Sequence, residues 1–452
     1  MDRRIIAIAL CPMRLQGIRS LHLSPYPAHI RPARPWQARL PFFYGWIIVA
    51  IAFCMGYFSL GLGFVAGLLL PSMQAEVAWS RSAVLGAVAI RGLMGIVISP
   101  IFGHYVDRPH GALGLAVSGG IISSIGLAAI SIASTEWHFL VLFGVLGGVA
   151  GILQGFMIST AIVPKWFVRL RGLTGALTTM GGASSAIGMP ILIPILEQAY
   201  GWRGTWVALA VLAFIITTIP ALLIIRQPED IGLLTDGDRE LPYRSGSAAA
   251  PRIEHTMTAG EALGSPGFWV LVAGTSLGML SQTAMPTNMP LMLADRGFSK
   301  EAAVLGLTGF GIASVSLKLF WGTLAVRFPL RSVLIVVSIY TAICTPIIIF
   351  AQVSESWQAF AYALLIGSSV GGFVAISGSI WAEYYGRAHL GRITGLTRPF
   401  GIVSSWGGVW LMAYSADQFG SYDPSLVFMT VTWLLCAGAI FIVRPPRGKS
   451  PP

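Results

Sequence analysis

The sequence predicts an all-α membrane protein in which twelve transmembrane helices form two six-helix, pseudo-symmetric bundles. Three observations predict it: a composition too apolar for a water-facing surface, twelve apolar runs of spanning length, and an internal repeat between the two halves of the chain.

Of 452 residues, 55% are hydrophobic and 10% charged, whereas a soluble domain carries about 25% charged residues. With a mean hydropathy of +0.75, most of the outer surface must face lipid, so the bilayer is the expected partner. The formal net charge is +11. Because no basic run is interleaved with aromatics, the cations read as membrane topology and no nucleic acid partner is expected. Cys11, Cys54, Cys344 and Cys436 are scattered without CxxC spacing, which indicates neither a disulfide framework nor a zinc site. No cofactor or metal is implied.

A helix needs about 20 mostly apolar residues to cross a hydrocarbon core of about 30 Å. The runs that qualify are 44–71, 81–105, 112–133, 138–163, 172–197, 203–225, 268–293, 301–326, 331–351, 357–381, 391–415 and 424–443. One long hydrophilic connection, rich in charge, Gly, Ser and Pro, follows the sixth run and divides the chain six plus six. The expected organisation is a disordered basic tail (1–43), a first bundle (44–225), a linker (226–265), a second bundle (266–443) and a short tail (444–452). The Arg-rich, acid-poor composition of 1–43 also fits a mitochondrial transit peptide or a start at Met13.

Of the 29 Lys and Arg residues, Arg81, Arg203, Arg296 and Lys300 fall on one face and Arg91, Lys318 and Arg398 fall inside spans. All others lie on the face that holds the termini and the linker, which places both termini in the cytosol by the positive-inside rule. The expected location is a cell membrane, most simply a bacterial inner membrane, and a monomer is expected.

Sliding the second half along the first exposes the repeat. Trp79-Ser80-Arg81 answers to Phe298-Ser299-Lys300, and Gly103 to Arg108 answers to Gly322 to Arg327, both at an offset of 219. Leu173-Thr174-Gly175 answers to Ile393-Thr394-Gly395 at an offset of 220. Two similar bundles that rock about a central site give a physical route to alternating access.

From Tyr44 onward the chain resembles the major facilitator superfamily. The carrying residues are Gly103-x-x-x-Asp107-Arg108 between spans two and three, similar to that family's signature loop. Pro109-His110-Gly111 depart from the usual continuation, and Val326 replaces the acid in the second copy. The resemblance implies a gating role for this loop, assigned to Gly103, Asp107 and Arg108 with Arg327 in the second copy. Tyr44-Gly45-Trp46, Trp79-Ser80-Arg81, Trp166-Phe167, Gly201-Trp202-Arg203 and the linker start Gln227-Pro228-Glu229-Asp230-Ile231-Gly232 resemble the branch of oxalate/formate antiporters and monocarboxylate transporters.

Arg91, Lys318 and Arg398 lie within spans, and no Asp or Glu falls well inside one. An ionisable group there costs at least about 2.5 kcal/mol, so it is retained where it has a partner or a task. Three cations with no intramembrane acid point to an anionic substrate. The resemblance implies that basic residues on spans eight and eleven, here Lys318 and Arg398, bind carboxylates. Arg91 could instead bond helix carbonyls, and Arg398 could snorkel to the interface.

Tyr57, Gln154, Gln282, Asn288 and Tyr362 are candidates to complete the cavity, against the alternative of helix-to-helix hydrogen bonds. Trp406 and Trp410 read as packing or lipid-facing residues. Monocarboxylate transporters of the resembled branch carry an acid one turn before the span-eight cation, where this chain has Ser314.

The expected function is therefore transport of small organic anions, mono- or dicarboxylates, by exchange, facilitated movement or co-transport of the substrate's own proton. Proton-coupled efflux and a receptor or scaffold role remain as alternatives. No HExxH, paired intramembrane aspartates or nucleophile–base set appears, so an enzyme is not expected.

Overall fold

The computed structural model describes residues 40–77, 79–238, 257–350 and 355–444. Most of the expected basic tail, the middle of the linker and the last eight residues lie outside the described residues. What is described is helical: α1 Gly45–Val77, α2 Arg81–Val106, α3 Gly111–Ile130, α4 Glu136–Trp166, α5 171–200, α6 202–221, α7 Pro266–Asp295, α8 Lys300–Arg327, α9 Leu330–Phe350, α10 Ser356–Tyr385, α11 Leu390–Phe419 and α12 Asp423–Ile442.

Ten stretches among the described residues are long and apolar enough to span a bilayer. One of them, Arg171–Ala221, is 51 residues long and holds both α5 and α6. Helix α11 is 30 residues long but falls outside that set, because Arg392, Arg398, Asp417 and many Ser, Thr and Gly residues dilute its apolar surface. These account for the twelve passes.

The repeat read in the sequence has local causes. Ser80 and Ser299, counterparts at an offset of 219, are the N-caps of α2 and α8, and each hydroxyl accepts the N–H of the residue three further on, Ala83 and Ala302, at 3.2 Å. At Gly201 the chain turns from α5 into α6 with φ 67°, and at its counterpart Gly420 it turns from α11 into α12 with φ 63°. Only glycine takes that conformation without a steric penalty.

The rim at the face opposite the linker shows how the copies have diverged. Arg203 Nε donates to Glu76 Oε1 at 2.9 Å, tying the end of α1 to the start of α6. Arg296 donates to Asp423, tying the end of α7 to the start of α12. Glu76 and Arg296, like Arg203 and Asp423, are 220 positions apart, so the same strut is built in both halves with its charges exchanged.

Side chains sort by neighbour. Ile132, Phe350, Trp137 and Ile442 are exposed, as lipid-facing residues should be. Trp166, Trp206 and Trp433 are fully buried. Helix α4 contains π-helical segments at Leu140–Leu146, Ile152–Phe156 and Ile158–Ile162, which apolar periodicity did not foretell; such segments gather at functional sites.

Where helices cross closely, glycine sets the distance. A Cβ added to Gly181 of α5 would stand 2.9 Å from the Cα of Phe53 on α1, whereas one added to Gly63 of α1 would meet nothing within 4 Å. Gly181→Leu should therefore lower stability by about 1–3 kcal/mol and Gly63→Ala by far less. Thermal unfolding of the two purified variants in detergent checks this; equal midpoints would refute it.

Candidate functional site

Lys318 sits on α8 with 4% of its surface exposed, and Nζ donates to the backbone oxygen of Thr179 on α5 at 3.2 Å. No carboxylate among the described residues pairs with it. A carbonyl dipole satisfies one of three N–H groups and leaves the charge uncompensated. One turn earlier, Ser314 is pressed against α10: its Cα would lie 2.9 Å from a Cβ on Gly371.

Arg398 borders a cavity of about 80 Å³. Its walls are Thr160 of α4, Thr275, Ser276 and Met279 of α7, Ser377, Gly378 and Trp381 around α10, and Thr394, Thr397 and Gly401 of α11. Thr275, Thr394 and Thr397 donate their hydroxyl protons to carbonyls of their own helices. Neither Lys318 nor Arg91 is part of this wall. In this closed arrangement Arg398 borders the cavity and Lys318 is held by a carbonyl of α5.

The remaining candidates divide. Arg91 Nη2 donates to the Ser59 carbonyl at 3.0 Å, and its guanidinium lies 5.2 Å from the centre of the Phe143 ring, the carbonyl-bonding arrangement that was its alternative. Tyr362 is buried and donates to the Thr345 carbonyl at 3.1 Å, a bond within the second half. Asn288 donates to Ala284 of its own helix at 3.0 Å. Tyr57 of α1 stands over Gly188 of α5, and Gln282 is half-buried. Gln154, in the π-helical segment Ile152–Phe156, is fully buried with no protein partner for either amide atom. Trp406 packs on Gly92 of α2, whereas Trp410 is exposed and stacks on Tyr414.

At the linker face the signature loop closes on the second half. Asp107 accepts the N–H groups of Gly391 and Arg392, at the start of α11, at 3.1 and 3.0 Å. A carboxylate is well placed there, because a helix start presents unpaired N–H groups and positive partial charge. Lys165 Nζ, 1% exposed, donates to the same carboxylate at 2.6 Å. Arg226 Nη1 donates to the Asp107 carbonyl at 2.9 Å and pairs with Asp230. From the second half, Arg387 donates to the Lys165 carbonyl at 2.8 Å and pairs with Glu229 at 3.0 Å. Gly103 lies against the backbone of Gly391 and Gly395.

Arg108 stacks on Tyr105, its guanidinium 4.6 Å from the ring centre. Arg327 is exposed at the end of α8. Lys165, Arg387 and Glu229 were not named as site residues because they stand far apart in the sequence, at the end of α4, between α10 and α11, and in the linker. The signal available was that each supplies a charge next to a span end on the same face.

Comparison with known proteins fits this geometry. The sequence model of the Major Facilitator Superfamily matches residues 48–401. The chain belongs to that superfamily. It is similar to monocarboxylate transporter 11 of Homo sapiens, 24% identical over 411 residues that cover 89% of this chain and 83% of the relative. It is also similar to the fujikurins efflux protein of Gibberella fujikuroi, 24% identical over 351 residues that cover 74% of this chain and 68% of the relative.

Among solved structures, the proton:xylose symporter XylE superposes with a TM-score of 0.67 at 13% identity, covering 89% of this chain and 96% of that one. The human organic anion transporter MFSD10 superposes with a TM-score of 0.63 at 13% identity, covering 87% and 97%. These likenesses establish the major facilitator fold. The protein is thus a multi-pass membrane transporter of a family whose members are not enzymes.

Asp107 and Lys165 form a pair that should not be broken singly. Asp107→Asn strands a buried ammonium and should cost about 3–5 kcal/mol. Adding Lys165→Met removes the stranded charge, so the double variant should unfold at a higher temperature than Asp107→Asn alone. A double variant less stable than both single variants would refute the assignment.

Proposed function

We propose that the protein carries small organic anions, mono- or dicarboxylates, by alternating access, with Lys318 and Arg398 holding the anion. The observation that carries the reading is the Lys318 ammonium, buried in an apolar bundle with a backbone carbonyl for company. Desolvating a cation without a counter-charge is strongly unfavourable, and a bound carboxylate would offset much of that cost. Arg398 can grip a carboxylate through two parallel N–H bonds, whereas lysine acts as a point charge. Gln154, buried without a protein partner, is a candidate to meet the polar remainder of the substrate.

In this reading the linker face is cytosolic and the protein sits in a cell membrane as two rigid six-helix bundles, 44–225 and 266–443. The closed contacts at Asp107 then describe a carrier shut toward the cytosol. Exchange, facilitated movement or entry with the substrate's own proton fits the lack, among the described residues, of an acid paired with Lys318. The resemblance to a fungal efflux protein supports a second reading, outward export, which differs in direction.

Liposomes loaded with one organic anion and challenged with labelled mono- and dicarboxylates test both readings. Lys318→Ala and Arg398→Ala should each reduce counterflow at least about tenfold, the equivalent of about 1.4 kcal/mol, with insertion unchanged. Wild-type rates in both variants would overturn the anion site. Counterflow of cationic amphiphiles alone would overturn the anion reading.

A further inference from the structure

The contacts that join the halves at the linker face are built alike. Gly391, near the start of α11, lies against Gly103 and Val106 of α2, and Gly172, near the start of α5, lies against Gly322 and Ala325 of α8. Gly322 and Ala325 are the repeat counterparts of Gly103 and Val106 at an offset of 219. The next position differs: it is Asp107 in the first copy and Val326 in the second.

The turn that leads into α5 receives a carboxylate of its own. Asp236, in the turn Thr235–Gly237, accepts the N–H groups of Val168 and Arg169 at 3.0 Å and of Leu170 at 3.3 Å. Its side chain is 3% exposed. To reach them its backbone takes φ 58°, a conformation unfavourable for an L side chain. The segment that carries it is packed on the first half: Ile231 and Leu233 join the apolar cluster of Trp166 and Phe167, and Gly237 rests on Phe43.

We propose that the linker face is latched on one side only: Asp107 caps α11 across the halves, while at the α5 crossing, where Val326 stands in place of the acid, Asp236 instead fixes, from within the first half, the turn that leads into α5. A carboxylate steadies a run of exposed amides wherever it comes from. The source decides what happens when the halves part. Asp107 must leave α11, because it belongs to the opposite half, whereas Asp236 travels with α5. Asp107 therefore acts as a latch between halves, and Asp236 acts inside one. This inference is independent of what the protein carries.

The test uses full-length protein purified in detergent, with its four cysteines replaced by serine and one cysteine introduced as Val106→Cys or Ala325→Cys. The rate of maleimide labelling reports parting of the halves. Asp107→Asn should raise labelling at least fivefold at Val106→Cys. Asp236→Asn should leave both rates within twofold of the parent while lowering the melting temperature by several degrees. Val326→Asp, which restores the missing acid beside α5, should slow labelling at least threefold in the Asp107→Asn background.

If Asp236→Asn raises labelling as much as Asp107→Asn, Asp236 is part of the latch and the proposal fails. It also fails if Val326→Asp leaves the rate unchanged. Should Asp236→Asn not accumulate, the Val326→Asp arm still decides, and none of these readouts depends on finding a substrate.

Discussion

A charge inside an apolar helix bundle must find an opposite charge or a dipole, and this protein is organised around where it does so. At the linker face the demand is met: Asp107 lies between the Lys165 ammonium and the amides that open α11. Each partner supplies what the other lacks, and the arrangement exists only while the halves touch. Deeper in, Lys318 has a carbonyl of the opposite half and, among the described residues, no acid paired with it. The charge at the linker face is thus matched within the protein, while that of Lys318 is met by a dipole alone. In the proposed reading that difference is the point, because an anionic cargo would supply inside what Asp107 supplies at the linker face.

Much of the fold was legible in the sequence because bilayer thickness imposes a length that apolar runs either meet or miss. Duplication was legible where local geometry demands one residue type, as at the N-cap serines Ser80 and Ser299. Helix α11 was read as an apolar run in the sequence although Arg392, Arg398 and Asp417 leave it the most polar of the spans, and the repeat gave it a second, independent support. The π-helical segments of α4 were not legible, because a shift from i+4 to i+5 bonding leaves no compositional mark.

The site was legible in part. Intramembrane cations can be counted in a sequence, so Lys318, Arg398 and Arg91 stood out; what each one touches cannot be counted. Arg91 turned to the Ser59 carbonyl and Tyr362 to the Thr345 carbonyl, choices made by neighbouring helices. The gate was half visible. Asp107 could be found from its loop, but Lys165, Arg387 and Glu229 join it only when the end of α4, the linker and the α10–α11 connection meet in space.

The exchanged struts at the far rim have a consequence of their own. A two-fold operation carries α1 onto α7 and α6 onto α12, so faithful copies would present equal signs to each other wherever equivalent ends draw near. Inverting one copy makes the charge pattern antisymmetric under that operation. Glu76 and Arg296 then carry unlike signs at equivalent places, each already neutralised by its own partner, so an approach of the two rims sets no like charges at equivalent helix ends against each other.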